Sequence, residues 1–323
     1  MNSSTDSPTT NLPTRLHGVV PPVVTPFTTD GDVDTATLRT LVEHLLAEGV
    51  HGVFPLGSTG EVAYLTDTQR RLVLETVVEA VAGRVPVLGG CIDLTAARVA
   101  EQARTAQGAG VDAVVVTTPL YALNDAGEVA DHFRHVRSAV EVPVLAYDVP
   151  VRAHGRPGLD TLVNLALEGV LAGVKDSSGD DVSFRRLLRA NREAGSPLAL
   201  FTGHELMCDA MLLLGADGLV PGLGNVDAGG YVRLYDAARA GDVERAVVEQ
   251  EQLAQLFEIV FAVGARSADA RGVGAFKTAM VELGLLPSAA MAAPVRALDL
   301  ADQQAVAAVV RQWRALAPEG AGV

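Results

Sequence analysis

Lysine is nearly absent: 323 residues carry only Lys175 and Lys277, beside 23 arginines. Surface cations in this chain are written as Arg, so each Lys asks for a reason of its own. Cysteine is equally scarce, and Cys91 and Cys208 stand at no metal-like spacing, which argues against a cysteine metal site and fits a reduced, cytoplasmic setting. No stretch approaches the ~20 uninterrupted apolar residues of a membrane-spanning helix, and no partner membrane is expected. Residues 1–15, rich in Ser, Thr, Pro and Asn, lack the apolar core of a signal peptide and read as a disordered tail. No run of Lys or Arg interrupts an excess of 39 acidic over 25 basic residues, so nucleic acid is not an expected partner either. A negative surface also repels small carboxylates. An anionic substrate would therefore need a local donor such as an Arg or a ring of backbone N–H groups.

Aromatics make up only 4% of a chain that is 49% hydrophobic, so the core must be built from Ala, Val and Leu in packed layers, an α/β composition. Short apolar runs at residues 19–26, 52–56, 85–89, 113–118, 142–146, 170–174, 198–201 and 218–220 alternate with amphipathic segments. Residues 33–47 place Leu38, Leu41, Val42 and Leu45 on one face, and Thr66 with Gln69 forms a capping-box start for the next helix. Eight strands, each followed by a helix, are the count that closes a (β/α)₈ TIM barrel, expected over residues 16–240. An open doubly wound sheet is the alternative. Against it stand the missing G-x-G-x-x-G after the first run and the unbroken rhythm. Residues 241–323 read as helices alone, at 243–263, 275–283 and 289–315, forming a C-terminal appendage on the barrel.

In such a barrel the chemistry sits at the carboxyl ends of the strands. Lys175 follows one run directly. A desolvated amine can lose its proton and attack a ketone, which a guanidinium cannot do. The bland reading is a core Lys paired with Asp176 or another carboxylate. Gly57-Ser58-Thr59-Gly60-Glu61 follows another run, and its glycines would let backbone N–H groups and the Ser58 and Thr59 hydroxyls approach a carboxylate; a tight turn is the bland alternative. Tyr121 and Tyr147, two of five tyrosines, fall at strand ends and suit proton transfer or simple packing. Arg152 suits bidentate recognition of a carboxylate, or is a surface cation. Gly203 and Val220, at the ends of the last two runs, are expected to line the substrate, and His204 beside them to border the pocket. His132 and His135 read as a solvated helix face. No metal site is expected.

Together these motifs resemble the dihydrodipicolinate synthase and N-acetylneuraminate lyase family of pyruvate-dependent aldolases. The likeness runs from about Gly18 to Leu286. It rests on Gly57-Ser58-Thr59-Gly60-Glu61, Pro119 with Tyr121, Tyr147-Asp148-Val149-Pro150 and Gly173-Val174-Lys175-Asp176-Ser177-Ser178-Gly179-Asp180, in family order and spacing. The resemblance implies an imine between Lys175 and pyruvate, with Tyr147 as proton carrier. It also implies that Ser58 relays to a Tyr121 from a neighbouring subunit, and that Ser58 and Thr59 hold the pyruvate carboxylate. It further implies a homodimer or homotetramer, small 2-keto acid and aldehyde substrates, and no cofactor beyond the covalent imine.

The expected activity is a Schiff-base lyase or aldolase acting next to a 2-keto acid. Arg152 stands where the synthases keep an arginine for aspartate semialdehyde, which favours 4-hydroxy-tetrahydrodipicolinate synthase proper. Ser58 in place of the synthases' Thr, and Leu120 in place of a second Tyr, depart from that pattern, as do Val151, Ala153 and His154 around Arg152. A keto-deoxy sugar acid dehydratase or aldolase, an N-acetylneuraminate lyase-like enzyme and a non-catalytic keto-acid-binding barrel are the alternatives. Lys277, without the family's neighbouring Asn-Pro, is expected to be structural.

Overall fold

The apolar runs become regular strands wherever the backbone has N–H groups to donate, and fail to where proline removes them. In the computed structural model, which describes residues 16–316, seven strands form one parallel sheet: β1 (Gly18–Val19), β2 (Leu88–Cys91), β3 (Ala113–Thr117), β4 (Val144–Asp148), β5 (Gly173–Asp176), β6 (Ala199–Thr202) and β7 (Gly218–Leu219). Their spatial order is β1-β7-β6-β5-β4-β3-β2. Residues 52–56 do not make the expected eighth strand. Pro55 cannot donate, and Pro21, Pro22 and Pro26 interrupt the first run after two residues. The segment nevertheless bonds to both edges of the sheet. On one side His51 and Phe54 donate to the Val19 and Pro21 carbonyls, each at 2.9 Å. On the other, Leu88 and Gly90 donate to the Val53 and Pro55 carbonyls at 2.9 and 3.0 Å. It is an irregular stave through which the ring closes, giving a TIM barrel. Gly90 is required for that closure, because a Cβ there would lie 2.0 Å from the Leu56 carbonyl oxygen.

Val114, Val115, Val116, Val144, Leu145, Ala146, Val174 and Leu200 are all essentially inaccessible, as expected of strands covered on both faces. The helices that cover them are α1 (Thr35–Ala47), α2 (Asp67–Val81), α3 (Ala96–Ala109), α4 (Ala126–Ala139), α5 (Leu159–Leu167), α6 (Asp181–Glu193), α7 (Cys208–Leu214) and α8 (Ala228–Ala240). On α1 the expected face of Leu38, Leu41, Val42 and Leu45 is buried; each such side chain contributes about 1.5–3 kcal/mol relative to exposure. Thr66 and Gln69 form the expected capping box on α2. The N-cap of α6 is Asp180, whose carboxylate accepts from the Ser183 N–H at 3.0 Å.

Three helices follow: α9 (Val243–Phe261), which packs on α7 and α8, and α10 (Ala275–Glu282) and α11 (Leu300–Leu316), which pack on α9. The expected helix over 289–315 begins only at Leu300; Pro294 lies in the non-helical stretch before it. The reading of residues 1–15 as a tail lies outside the described residues. No described helix is long and apolar enough to cross a membrane.

One connection ties the C-terminal helices to the barrel. The Lys277 ammonium on α10 is fully buried, pairs with the buried Glu61 carboxylate and donates to the Ala290 carbonyl at 2.8 Å. Glu61 also accepts from the Ala292 N–H at 2.8 Å. Both charges are thereby satisfied, as burial demands.

Candidate active site

Parallel register decides which side chains meet. Tyr147 on β4 is the register partner of Lys175 on β5, and Lys175 that of Phe201 on β6, so the three share one face of the sheet; Asp148 and Asp176, one residue on, are partners of each other on the opposite face. Both strands run further than their apolar residues suggest, which places Lys175 and Tyr147 inside the ladder. The Lys175 Nζ lies 4.3 Å from the centroid of the Tyr147 ring and 4.9 Å from that of Phe54, itself on the irregular stave. The Lys175 residue is only 5% exposed. It is an amine enclosed by aromatic rings.

The bland pairing of Lys175 with Asp176 does not occur. Arg156, which the sequence reading passed over, takes the two carboxylates of the opposite face, Asp148 at 2.6 Å and Asp176 at 3.9 Å, and the N-cap carboxylate of α6, Asp180, at 3.3 Å. Asp176 is further bonded by the Ser178 N–H and hydroxyl at 3.0 and 2.8 Å.

Around the phenol, burial alone would push the Tyr147 pKa up. The Lys175 charge and hydrogen bonds with the Ser58, Ser177 and Lys175 side chains outweigh it and hold the phenol below its usual value. Ser58 and Thr59 are both half-buried in the turn after the stave. Their backbone N–H groups have no hydrogen-bond partner among the described residues, while the Gly60 and Glu61 N–H groups are used within the turn. Gly57 is packed against the Phe54 ring, 2.9 Å from where a Cβ would stand. Ser177 was also missed. Gly203 leaves the room it needs, since a Cβ there would lie 2.2 Å from the Ser177 Oγ and 3.4 Å from the Lys175 Cε. Val220 is buried just past β7 and donates to the Thr202 carbonyl at 2.8 Å.

Tyr121 is not brought to this cluster within one chain. It is 85% exposed in the loop after β3, with φ at 69°, a left-handed conformation rare outside glycine. His204 does not line the centre either; its Nδ1 meets the Asp181 carboxylate on α6 at 2.9 Å. The neighbour that does face inward is Glu205. Burial pushes its pKa up to about 7, against the pull of the Leu223 N–H, 2.6 Å away, and of the Lys175 charge. The only sequence signal for it was its place at the end of a strand. His132 is corrected as well: it is not solvated but 3% exposed, with Nε2 3.0 Å from the Thr117 carbonyl, because α4 turns that face onto β3. His135 is exposed as expected.

Beside Ser58 lies a cavity of about 120 Å³, bordered by Tyr64, Ile92, Leu120, Val149, Arg152 and Asp269. Arg152 does reach it, but engaged: both terminal nitrogens bond the two oxygens of Asp269, one of them at 3.0 Å. The Tyr64 hydroxyl donates to the same carboxylate at 2.5 Å, and this bond, with burial, lifts the phenol pKa to about 12. Burial would raise Asp269; its bonds to Arg152 and Tyr64 hold it below the usual carboxylate value. No group of three or more His, Cys, Asp or Glu able to hold a metal exists among the described residues.

Comparison with known proteins agrees with this architecture. The dihydrodipicolinate synthetase family matches residues 15–313. The chain is 38% identical to an uncharacterized DapA-like lyase of Halobacterium salinarum, over 77% of this chain and 81% of that protein. It is 33% identical to a 4-hydroxy-tetrahydrodipicolinate synthase of Methanoculleus marisnigri, over 76% of this chain and 84% of that protein. The crystal structure of YagE, a prophage protein of the dihydrodipicolinic acid synthase family from Escherichia coli K12 in complex with pyruvate, superposes with a TM-score of 0.87 at 28% identity, covering 93% of this chain and 99% of that one.

Proposed function

The chain belongs to the dihydrodipicolinate synthetase family, and from that premise we propose that it is a lyase or aldolase that carries pyruvate as an imine on Lys175. One observation carries the reading: the Lys175 amine lies enclosed between the Tyr147 and Phe54 rings, while the carboxylates nearest in sequence are held by Arg156.

The Lys175 nitrogen attacks the keto carbon, and the carbinolamine loses water to give the imine. Tyr147, bonded to Ser58 and Ser177, delivers and recovers the protons of that step. Ser58 and Thr59 hold the pyruvate carboxylate with their hydroxyls and free N–H groups, and Gly57 lets the backbone come close. Ser58 passes the proton on to Tyr121 of a second copy of the chain, which makes the working unit a homodimer or homotetramer.

The protonated imine nitrogen draws electrons from the methyl carbon, which loses a proton to become an enamine; the enamine adds to an aldehyde, or the reverse steps cleave an aldol. The imine is itself the electron sink, so the chemistry calls for no further cofactor. Gly203 and Val220 line the bound substrate.

Pyruvate incubated with the protein in deuterium oxide tests this. Wild type exchanges the methyl protons and Lys175→Ala does not; a wild type without exchange at high enzyme concentration would instead be a silent keto-acid-binding barrel.

A further inference from the structure

An arginine at the rim of a pyruvate site invites a carboxylate on the second substrate, yet the charge of Arg152 is already spent. Asp269 meets the guanidinium with both oxygens, the bidentate geometry an incoming carboxylate would use. The Asp269 side chain is only 10% exposed, and Tyr64 supplies its third hydrogen bond. A substrate carboxylate would have to displace a tethered, pre-positioned one. It would then leave two like charges side by side in a half-buried pocket, where an uncompensated charge is costly.

The remaining walls suit a different guest. Leu120 and Val149 are apolar, while the Asp269 oxygens and the Arg152 N–H groups together present acceptors and donors with no net charge. That combination recognises hydroxyl groups, each of which both donates and accepts.

We propose that Asp269 determines acceptor specificity by masking Arg152, so that the aldehyde partner is a short, uncharged, hydroxylated aldehyde rather than one bearing a carboxylate. This rests on the imine reading above. The enamine carbon bonds to the aldehyde carbon, the aldehyde oxygen takes up one proton, and water releases the product from Lys175. Pyruvate and the aldehyde thus give a 2-keto-4-hydroxy acid with nothing else consumed, and the reverse reaction cleaves a 3-deoxy-2-keto sugar acid.

The test compares glyceraldehyde with aspartate semialdehyde as acceptors for wild type, Asp269→Asn, Asp269→Ala and Asp269→Asn/Arg152→Ala. Pyruvate trapping by borohydride is measured in parallel on each protein. Wild type is expected to favour glyceraldehyde in kcat/KM by about tenfold or more, the scale on which one pocket contact discriminates. Either single variant shifts the ratio towards aspartate semialdehyde by a similar factor, and removal of Arg152 abolishes the shift. A wild type that traps pyruvate but prefers aspartate semialdehyde overturns the proposal, whatever the variants do. So does a trapping-competent Asp269→Asn whose ratio is unchanged. A wild type that traps no pyruvate overturns the imine reading itself, and is distinguished from those outcomes by the trapping alone.

Discussion

Lys175 and Tyr147 are register partners across β4 and β5, and the amine of one lies 4.3 Å from the ring centroid of the other. A backbone ladder, not a flexible loop, sets which two residues face each other, so the side chains start from positions as rigid as the barrel. On the proposed imine reading, two neighbouring strands would hold the amine and its proton carrier in place before any substrate arrives.

If Tyr147 moves the proton, Tyr147→Phe lowers kcat by about 10²–10⁴-fold with little change in the KM for pyruvate. Ser177→Ala is milder and more diagnostic. It removes a hydrogen bond that lowers the Tyr147 pKa, so the phenol limb of the pH–rate profile moves to higher pH. A profile that stays in place while the rate falls would assign Ser177 to packing alone.

The Glu61–Lys277 pair joins the turn carrying Ser58 and Thr59 to α10. Either Glu61→Gln or Lys277→Met strands one buried charge or its partner groups and is expected to cost about 3–5 kcal/mol in denaturant unfolding. The double variant costs less than the sum, because it leaves no orphaned charge. Additive losses would show that the two act independently.

His132 carries a pH dependence of known sign. Burial pushes its pKa down to about 4, and its Nδ1 has no partner among the described residues, so the neutral ring is the one that folds. Its stabilisation is present in full above the unfolded pKa near 6.5 and is lost as pH falls towards 4, about 3 kcal/mol in all. Unfolding curves for wild type and His132→Gln should therefore converge between pH 6.5 and 4. Parallel curves would contradict the burial argument.

How much of this was legible beforehand follows from the range of each interaction. Lys175 and Tyr147 stood out because each follows a short apolar run, and a run that ends in a polar residue marks a barrel mouth. Capping at Thr66 and the apolar face of α1 are local and were read correctly. The second stave was misread as a strand because Val53 and Phe54 look like one, while Pro55 beside them denies the ladder a donor. Asp269 and Glu205 stayed hidden for a different reason. Asp269 lies 117 residues beyond Arg152, and no periodicity connects them. His204 drew notice as a histidine, while the inward-facing group was the next residue. His132 was judged by its own helix face, but burial there is decided by the strand that α4 covers.

The most direct measurement is peptide mapping by mass spectrometry after incubation with pyruvate and borohydride. One reduced pyruvyl group per chain is expected, on the peptide that contains Lys175, and none in Lys175→Ala. A folded wild-type protein whose Lys175 peptide remains unmodified, or a label found on Lys277 instead, would contradict the imine reading.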